Sequence, residues 1–219
     1  MDITQDPDII TAESWSLFNM DNGQFIDGKN EKKVLQVASL TKIMNLYTAL
    51  FLVDILILNR EYNEQQNNEN KYDILRRIYF YCSQNTKRGG TTAKLQEGMF
   101  VSILDLFYGL MLPSGNDAAY VLAENFETNS HQKLLSDKYL MKEELQISLI
   151  EQKEPVKIYL EQMNTKAKQL QMKSTFYANT NGLGNKENVS STYDVGILSC
   201  IAMKNTLFQK VLPLQLGHA

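Results

Sequence analysis

Apolar positions recur at helical spacing along much of the chain and alternate in only a few places. Over 102–111, Ile103, Leu106, Phe107 and Leu110 fall at i, i+3, i+4 and i+7, the stripe of an amphipathic helix. The run 43–58 is nearly continuous in apolar residues, broken by Asn45, Thr48 and Asp54. It predicts a core helix entered through Val37-Ala38-Ser39. Further helices are predicted over 73–82, 117–126 and 156–172, with Asp117 near the positive end of its segment. A last one starts at the cap-like Ser191-Thr192-Tyr193-Asp194 and reaches about residue 204. Short apolar runs at 14–18 and 24–26 flank Asp21-Asn22-Gly23, which predicts a β-hairpin. The segment 175–178 suits an extended conformation closed by the turn residues Asn179, Asn181 and Gly182. Breaks are expected at 60–71, rich in Asn, Gln and Glu, at 88–92, at 112–116, and through the polar mixture of 127–155. No internal repeat is visible.

Composition narrows the class. With 219 residues, 43% hydrophobic and 21% charged, the chain can form one domain with a sizeable core or two small ones. Eleven Gly and two Cys exclude a collagen and a disulfide-stapled mini-protein, and the apolar fraction excludes a wholly disordered chain. The net charge is −3 with Lys and Arg scattered, so no basic stripe points to nucleic acid. The run 43–58 falls short of the ~20 apolar residues of a bilayer span, so no transmembrane helix is expected. Residues 1–8 lack a basic and an apolar signal region. Cys82 and Cys200 allow one bridge at most and show no metal spacing; His131 and His218 are the only histidines. A multi-histidine metal site and a Ser-His-Asp triad are therefore not expected.

Candidate chemistry lies at the mouth of the long apolar helix. In Ser39-Leu40-Thr41-Lys42 the outer residues stand at i and i+3, so the amine can reach the hydroxyl. A serine needs a base to become a nucleophile, and a lysine becomes one when burial lowers its pKa. Val37, Ala38, Ile43 and Met44 are apolar enough to bury it. Unpaired N–H groups at a helix start favour an oxyanion. Taken alone, the tetrad fits a simple N-cap with a solvated lysine better. Ser130-His131-Gln132-Lys133 repeats the spacing in a polar segment with no apolar helix behind it, and is discounted. A second piece, Pro113-Ser114-Gly115-Asn116, sits between two apolar helices and presents a hydroxyl and an amide from a tight bend. Such a hydroxyl can relay a proton and such an amide can orient substrate or lysine. A plain helix connector would read the same way.

Together, Val37-Ala38-Ser39-Leu40-Thr41-Lys42-Ile43-Met44 and Leu110-Met111-Leu112-Pro113-Ser114-Gly115-Asn116-Asp117-Ala118-Ala119 closely resemble the first two motifs of the D-alanyl-D-alanine carboxypeptidases. These are the low-molecular-mass penicillin-binding proteins of the serine β-lactamase-like group. Gly89-Gly90-Thr91-Thr92-Ala93, the stretch from Asn164 to Phe176, Asn181-Gly182-Leu183 and Ser190-Ser191-Thr192-Tyr193-Asp194 resemble further family segments in the same order. The likeness covers roughly 10–210, with divergent insertions at about 59–72 and 127–155, behind an extension at 1–9. It implies an α/β (α+β) DD-peptidase/β-lactamase-like transpeptidase fold, mostly helical here, with an N-terminal β-hairpin and an incomplete antiparallel sheet. It implies Ser39 as acylated nucleophile, Lys42 as general base, Ser114 as proton relay and Asn116 as the group orienting substrate and lysine. It implies no metal and no organic cofactor. The implied partner is a peptidoglycan stem peptide ending in D-Ala-D-Ala, or a β-lactam, met outside the cytoplasm.

One departure stands out. The family's third motif, Lys-Thr-Gly or Lys-Ser-Gly, should follow the last helix, and these 219 residues do not contain it; Lys173-Ser174-Thr175 matches two letters only. The resemblance assigns that lysine to the substrate carboxylate and its strand to a second oxyanion donor, whose loss costs a factor of ~10² to 10³. The expectations are therefore a chain incomplete at its C-terminal side, and at its N-terminal side where the family carries an export signal. The hairpin is expected to have an open edge and an uncovered apolar face. Two functional readings follow: a serine-type D-Ala-D-Ala carboxypeptidase, or a truncated or non-catalytic homologue that at most binds peptide or β-lactam. A β-lactamase fits less well, since no deacylating glutamate suggests itself in 127–155.

Overall fold

The computed structural model describes residues 10–63, 70–131 and 156–212. Its order is β1 (Trp15–Phe18), β2 (Phe25–Lys29), β3 (Leu35–Gln36), α1 (Thr41–Asn63), α2 (Lys71–Leu75), β4 (Tyr79–Tyr81), β5 (Phe100–Ser102), α3 (Ile103–Met111), α4 (Asn116–His131), α5 (Lys157–Gln169), β6 (Val189–Ser190), α6 (Thr192–Ala202) and α7 (Thr206–Val211). Three antiparallel pairs form among the described residues: β1–β2, β3–β6 and β4–β5.

Helix α1 is the axis of the core. Met44, Leu46, Ala49 and Val53 are fully buried and meet Ile103, Leu106, Phe107 and Leu110 of α3, Ala119 and Leu122 of α4, and Tyr159 and Met163 of α5. Each large side chain buried this way contributes about 1.5–3 kcal/mol. The apolar stripe expected on 102–111 is the buried face of α3, and Ser102 caps it by accepting from Asp105 N. No described helix is long and apolar enough to cross a membrane. Both cysteines are free and buried.

The hairpin at 14–26 forms, but Asn19 organises its turn. Asn19 N donates to Gln24 O at 2.8 Å, its carbonyl accepts from Gly23 N at 2.8 Å, and its Oδ1 accepts from Asp21 N at 2.9 Å. The expected bare apolar face needs correction. Phe18 and Phe25 close an aromatic cluster with Tyr193 of α6, ring centroids 5.4–5.6 Å apart, while Leu17 and Ile26 remain exposed.

The predicted helix over 73–82 is not one helix. Only α2 forms, and Tyr79-Phe80-Tyr81 then pairs with β5 through Tyr79↔Ser102 and Tyr81↔Phe100. Phe80 is buried between an exposed Tyr79 and a half-buried Tyr81, a period of two that only a strand partner some twenty residues away reveals. Helix α1 runs on to Asn63, into the predicted polar loop; the remainder at 64–69, and 132–155 of the later polar segment, lie outside the described residues. Within 175–178 only Phe176 bridges, to Val189. Ser191 caps α6 as the sequence suggests, accepting from Asp194 N. The short α7, capped by Asn205, was not foreseen.

Gly196 is where α6 receives the hairpin: a Cβ there would lie 2.2 Å from the Phe18 ring. Gly196→Ala is expected to cost about 1–3 kcal/mol by overpacking. Urea unfolding followed by fluorescence of Trp15, the only tryptophan, measures it.

Candidate active site

Three segments converge on the start of α1. The first is the chain leaving β3. Thr41, Lys42 and Ile43 amides donate to the carbonyls of Ala38, Ser39 and Leu40 at 3.0–3.1 Å, a tight entry turn. Ser39 therefore precedes the helix and is exposed, while Thr41 and Lys42 are buried. Asn188 fixes this turn from the β6 side, donating to Thr41 Oγ1 at 2.6 Å and Val37 O at 3.1 Å.

Lys42 is 2% exposed. Its Nζ donates to Asn181 O at 2.7 Å, to Asn116 Oδ1 at 2.8 Å and to Ser39 Oγ at 3.2 Å. Burial pulls its pKa down to about 8, against the opposing pull of the Asp117 charge. The partner chemistry matters. A carbonyl and an amide oxygen only accept, so each must face an N–H. When the amine is neutral, its lone pair is left for the one partner that can donate, the Ser39 hydroxyl.

The second segment is the bend before α4. Asn116 Nδ2 donates to Gly89 O at 2.6 Å, which turns its Oδ1 toward Lys42, and its own N–H donates to Thr91 O at 2.8 Å. Asp117 anchors the loop above: its carboxylate accepts from Thr92 Oγ1 at 2.5 Å, Ala93 N at 2.9 Å and Leu95 N at 3.0 Å. Ser114 is half-buried with φ +55°, and its carbonyl accepts from Thr91 Oγ1 at 2.5 Å. Such a conformation costs a non-glycine residue about 1–3 kcal/mol, so the bend persists because the loop holds it.

The third segment is the turn at 179–183. Asn179 Oδ1 accepts from Gly182 N at 2.6 Å, and Asn179 Nδ2 donates to Leu183 O at 3.0 Å. This aims the Asn181 carbonyl at Lys42. Asn45, one turn along α1, donates to Thr180 O at 2.8 Å and Ala119 O at 3.2 Å, and accepts from Tyr159 OH at 2.9 Å. It thereby ties the turn, α4 and α5 to the same helix.

Ser39, Lys42 and Asn116 are thus one hydrogen-bonded group. Ser114 stands two residues from Asn116, outside the three hydrogen bonds of Lys42. The Asn181 carbonyl, Asn45 and the Asp117 clamp were not found from sequence; the turn itself was visible, its target was not. Among the described residues no cluster of three or more His, Cys, Asp or Glu could hold a metal.

Residues 1–136 and 155–213 match the model of the D-alanyl-D-alanine carboxypeptidases, peptidase family S11. The chain belongs to this family. Among carboxypeptidase relatives, DacD of Escherichia coli strain K12 is 27% identical over 193 residues, covering 88% of this chain and 41% of the relative. The D-alanyl-D-alanine carboxypeptidase of Streptomyces sp. strain K15 is 32% identical over 120 residues, covering 55% of this chain and 34% of the relative. The crystal structure of the Streptomyces K15 DD-transpeptidase superposes with a TM-score of 0.64 at 25% identity, over 91% of this chain and 63% of that one. Penicillin binding protein 6B of Escherichia coli gives 0.66 at 24%, over 96% and 55%. The fold is that of the DD-peptidases and transpeptidases, and the chain spans less than half the length of the two curated relatives.

In this carboxypeptidase-family chain Gly182 carries the closest contact of the site. Its φ is +81°, and a Cβ would stand 1.9 Å from Ala38 O. Gly182→Ala is expected to lower stability by about 2–4 kcal/mol through strain and clash, read as a drop in the thermal unfolding midpoint.

Proposed function

We propose that the chain is a serine-type D-Ala-D-Ala carboxypeptidase that removes the terminal D-alanine of peptidoglycan stem peptides through an acyl-serine intermediate. In this reading Ser39 is the nucleophile and Lys42 its general base. Ser114 relays the proton to the leaving group, and Asn116 orients Lys42 and substrate. The observation that carries it is the hydrogen-bond set of Lys42: two partners that only accept, and the Ser39 hydroxyl at 3.2 Å.

The chemistry runs in two halves. Ser39 Oγ attacks the carbonyl of the penultimate D-alanine while its proton passes to Lys42 Nζ. The Ser39 N–H, at the positive end of α1, faces the oxyanion that develops. The C–N bond then breaks, D-alanine leaves with a proton delivered by way of Ser114, and the acyl group stays on Ser39. Water, deprotonated by the same amine, cleaves the ester and returns the hydroxyl. A β-lactam stops at the first half, because its opened ring remains attached.

A second reading is binding or acylation without turnover. One pair of measurements separates the two. Labelled penicillin is expected to give one covalent adduct that survives denaturation and is lost in Ser39→Ala. An adduct that persists in that variant, or none in the wild type, overturns the assignment of Ser39. Release of free D-alanine from a diacyl-Lys-D-Ala-D-Ala peptide supports the carboxypeptidase; an adduct without release supports the second reading.

The pH dependence has a definite sign. Lys42 must be neutral to accept a proton, and burial holds its pKa at about 8. Acylation by penicillin is therefore expected to fall close to tenfold per unit below that value and to level off above it. Asn116→Asp sets a negative charge against the ammonium, which favours the charged form. Its limb is expected to move to higher pH, measured as adduct formation against pH.

A further inference from the structure

The segments that carry two of the acceptors of Lys42 also meet each other, at Gly90. Its φ is +80°, and the place where a side chain would begin is already taken. A Cβ there would lie 2.8 Å from Asn116 Nδ2 and 3.3 Å from Leu183 Cδ1. The Asn116 amide and the Leu183 side chain therefore flank one spot on the loop. Leu183 reaches Gly89 as well, its Cδ2 3.9 Å from where that residue's Cβ would be. Only a residue without a side chain lets both groups approach so closely at this φ.

This end of the loop has a specific task. Gly89 O accepts from Asn116 Nδ2 at 2.6 Å, and that bond decides which end of the amide faces Lys42. A carboxamide has nearly the same shape at both ends, but one end accepts and the other donates. Turned over, it sets its N–H groups against those of the lysine, and the ammonium loses an acceptor. From Thr91 onward the loop is fastened by hydrogen bonds to Ser114 O, Asn116 N and the Asp117 carboxylate. Residues 88–90 lie ahead of that fastening and are exposed. Arg88 rests over the Tyr120 ring at 3.7 Å, one turn along α4 from Asn116, and Leu183 bears on the two glycines. Leu183 is itself held at both backbone groups: its N–H donates to Asn181 Oδ1 at 2.8 Å and its carbonyl accepts from Asn179 Nδ2 at 3.0 Å. Its side chain is 46% exposed, so burial in the core does not account for where it sits.

We propose that Leu183 is a positioning residue of the acyl-transfer site: by resting on Gly89 and Gly90 it keeps the Gly89 carbonyl on the Asn116 amide, and so fixes the amide oxygen toward Lys42. The proposal rests on the reading of Ser39, Lys42 and Asn116 as the acyl-transfer group. The 179–183 turn then serves the lysine twice. It supplies one acceptor directly, the Asn181 carbonyl, and steadies a second from outside. An apolar side chain suits the second task, because it brings no donor or acceptor that competes for the amide.

Nitrogen-15 NMR of the full chain reports the amide directly, the side-chain NH2 signal of Asn116 being identified by its loss in Asn116→Ala. In Leu183→Ala the exchange of this amide with water is expected to quicken about tenfold. Leu183→Met restores the reach and is expected to bring it back to within about twofold of the wild type. Unchanged exchange in Leu183→Ala overturns the proposal, and so does a Leu183→Met that exchanges as fast as Leu183→Ala. Acylation by labelled penicillin gives a second readout. Leu183→Ala is expected to react about tenfold more slowly. In an Asn116→Ala background, followed over hours, the same change is expected to alter the rate less than about twofold. An equal loss in both backgrounds overturns the proposal, since Leu183 then acts on the ligand or the fold and not through the amide. A protected amide that is lost in Leu183→Ala, in a protein that forms no penicillin adduct, supports the positioning and overturns only the acyl-transfer reading.

Discussion

Lys42 brings a cationic group into a site that water barely enters, and an ammonium there is tolerated only if each of its three N–H bonds finds an acceptor. One acceptor comes from the entry turn of α1, one from the first residue of α4, and one from the backbone of the 179–183 turn. These segments lie far apart in sequence, and the lysine is the point where they are held to a common position. Losing any one of them leaves a buried donor unpaired, at about 1–3 kcal/mol or more. The fold is therefore most tightly specified around this lysine.

Much of the surrounding structure consists of supports for those acceptors. The loop at 89–95 locks the Asn116 amide through Gly89, holds Ser114 at an unfavourable φ through Thr91, and is itself held by Asp117. Asn179 shapes the turn that presents the Asn181 carbonyl, while Asn45 and Tyr159 hold that turn against α1 from below. Short polar side chains bonded to backbone do most of this work, the usual way for irregular segments to satisfy buried peptide groups. Buried apolar helices behind them keep the frame stiff.

How much of this can be read from the sequence depends on range. The stripe of α3, the cap of α6, the hairpin and the Ser39–Lys42 pairing rest on residues a turn or two apart, where local spacing is a sound guide. Ser114 and Asn116 were visible as the hydroxyl and amide of the 113–116 bend, and the family likeness assigned their roles; the geometry joins Asn116 to the pair while Ser114 keeps outside it. Strands β4 and β5 escaped because three residues carry no period of their own and their pairing spans a loop. The Asn181 contact escaped for a different reason. It is made by a main-chain carbonyl, which any residue type would supply.

Cys82 adds a consequence for chemoselectivity. Sulfur is intrinsically a better nucleophile toward strained acyl groups than oxygen, provided it can shed its proton. Here the thiol is fully enclosed and its ionisation is pushed up to about 11, and Cys200 is likewise buried and raised. Both thiols are thus held back as nucleophiles, while the Ser39 hydroxyl stands exposed.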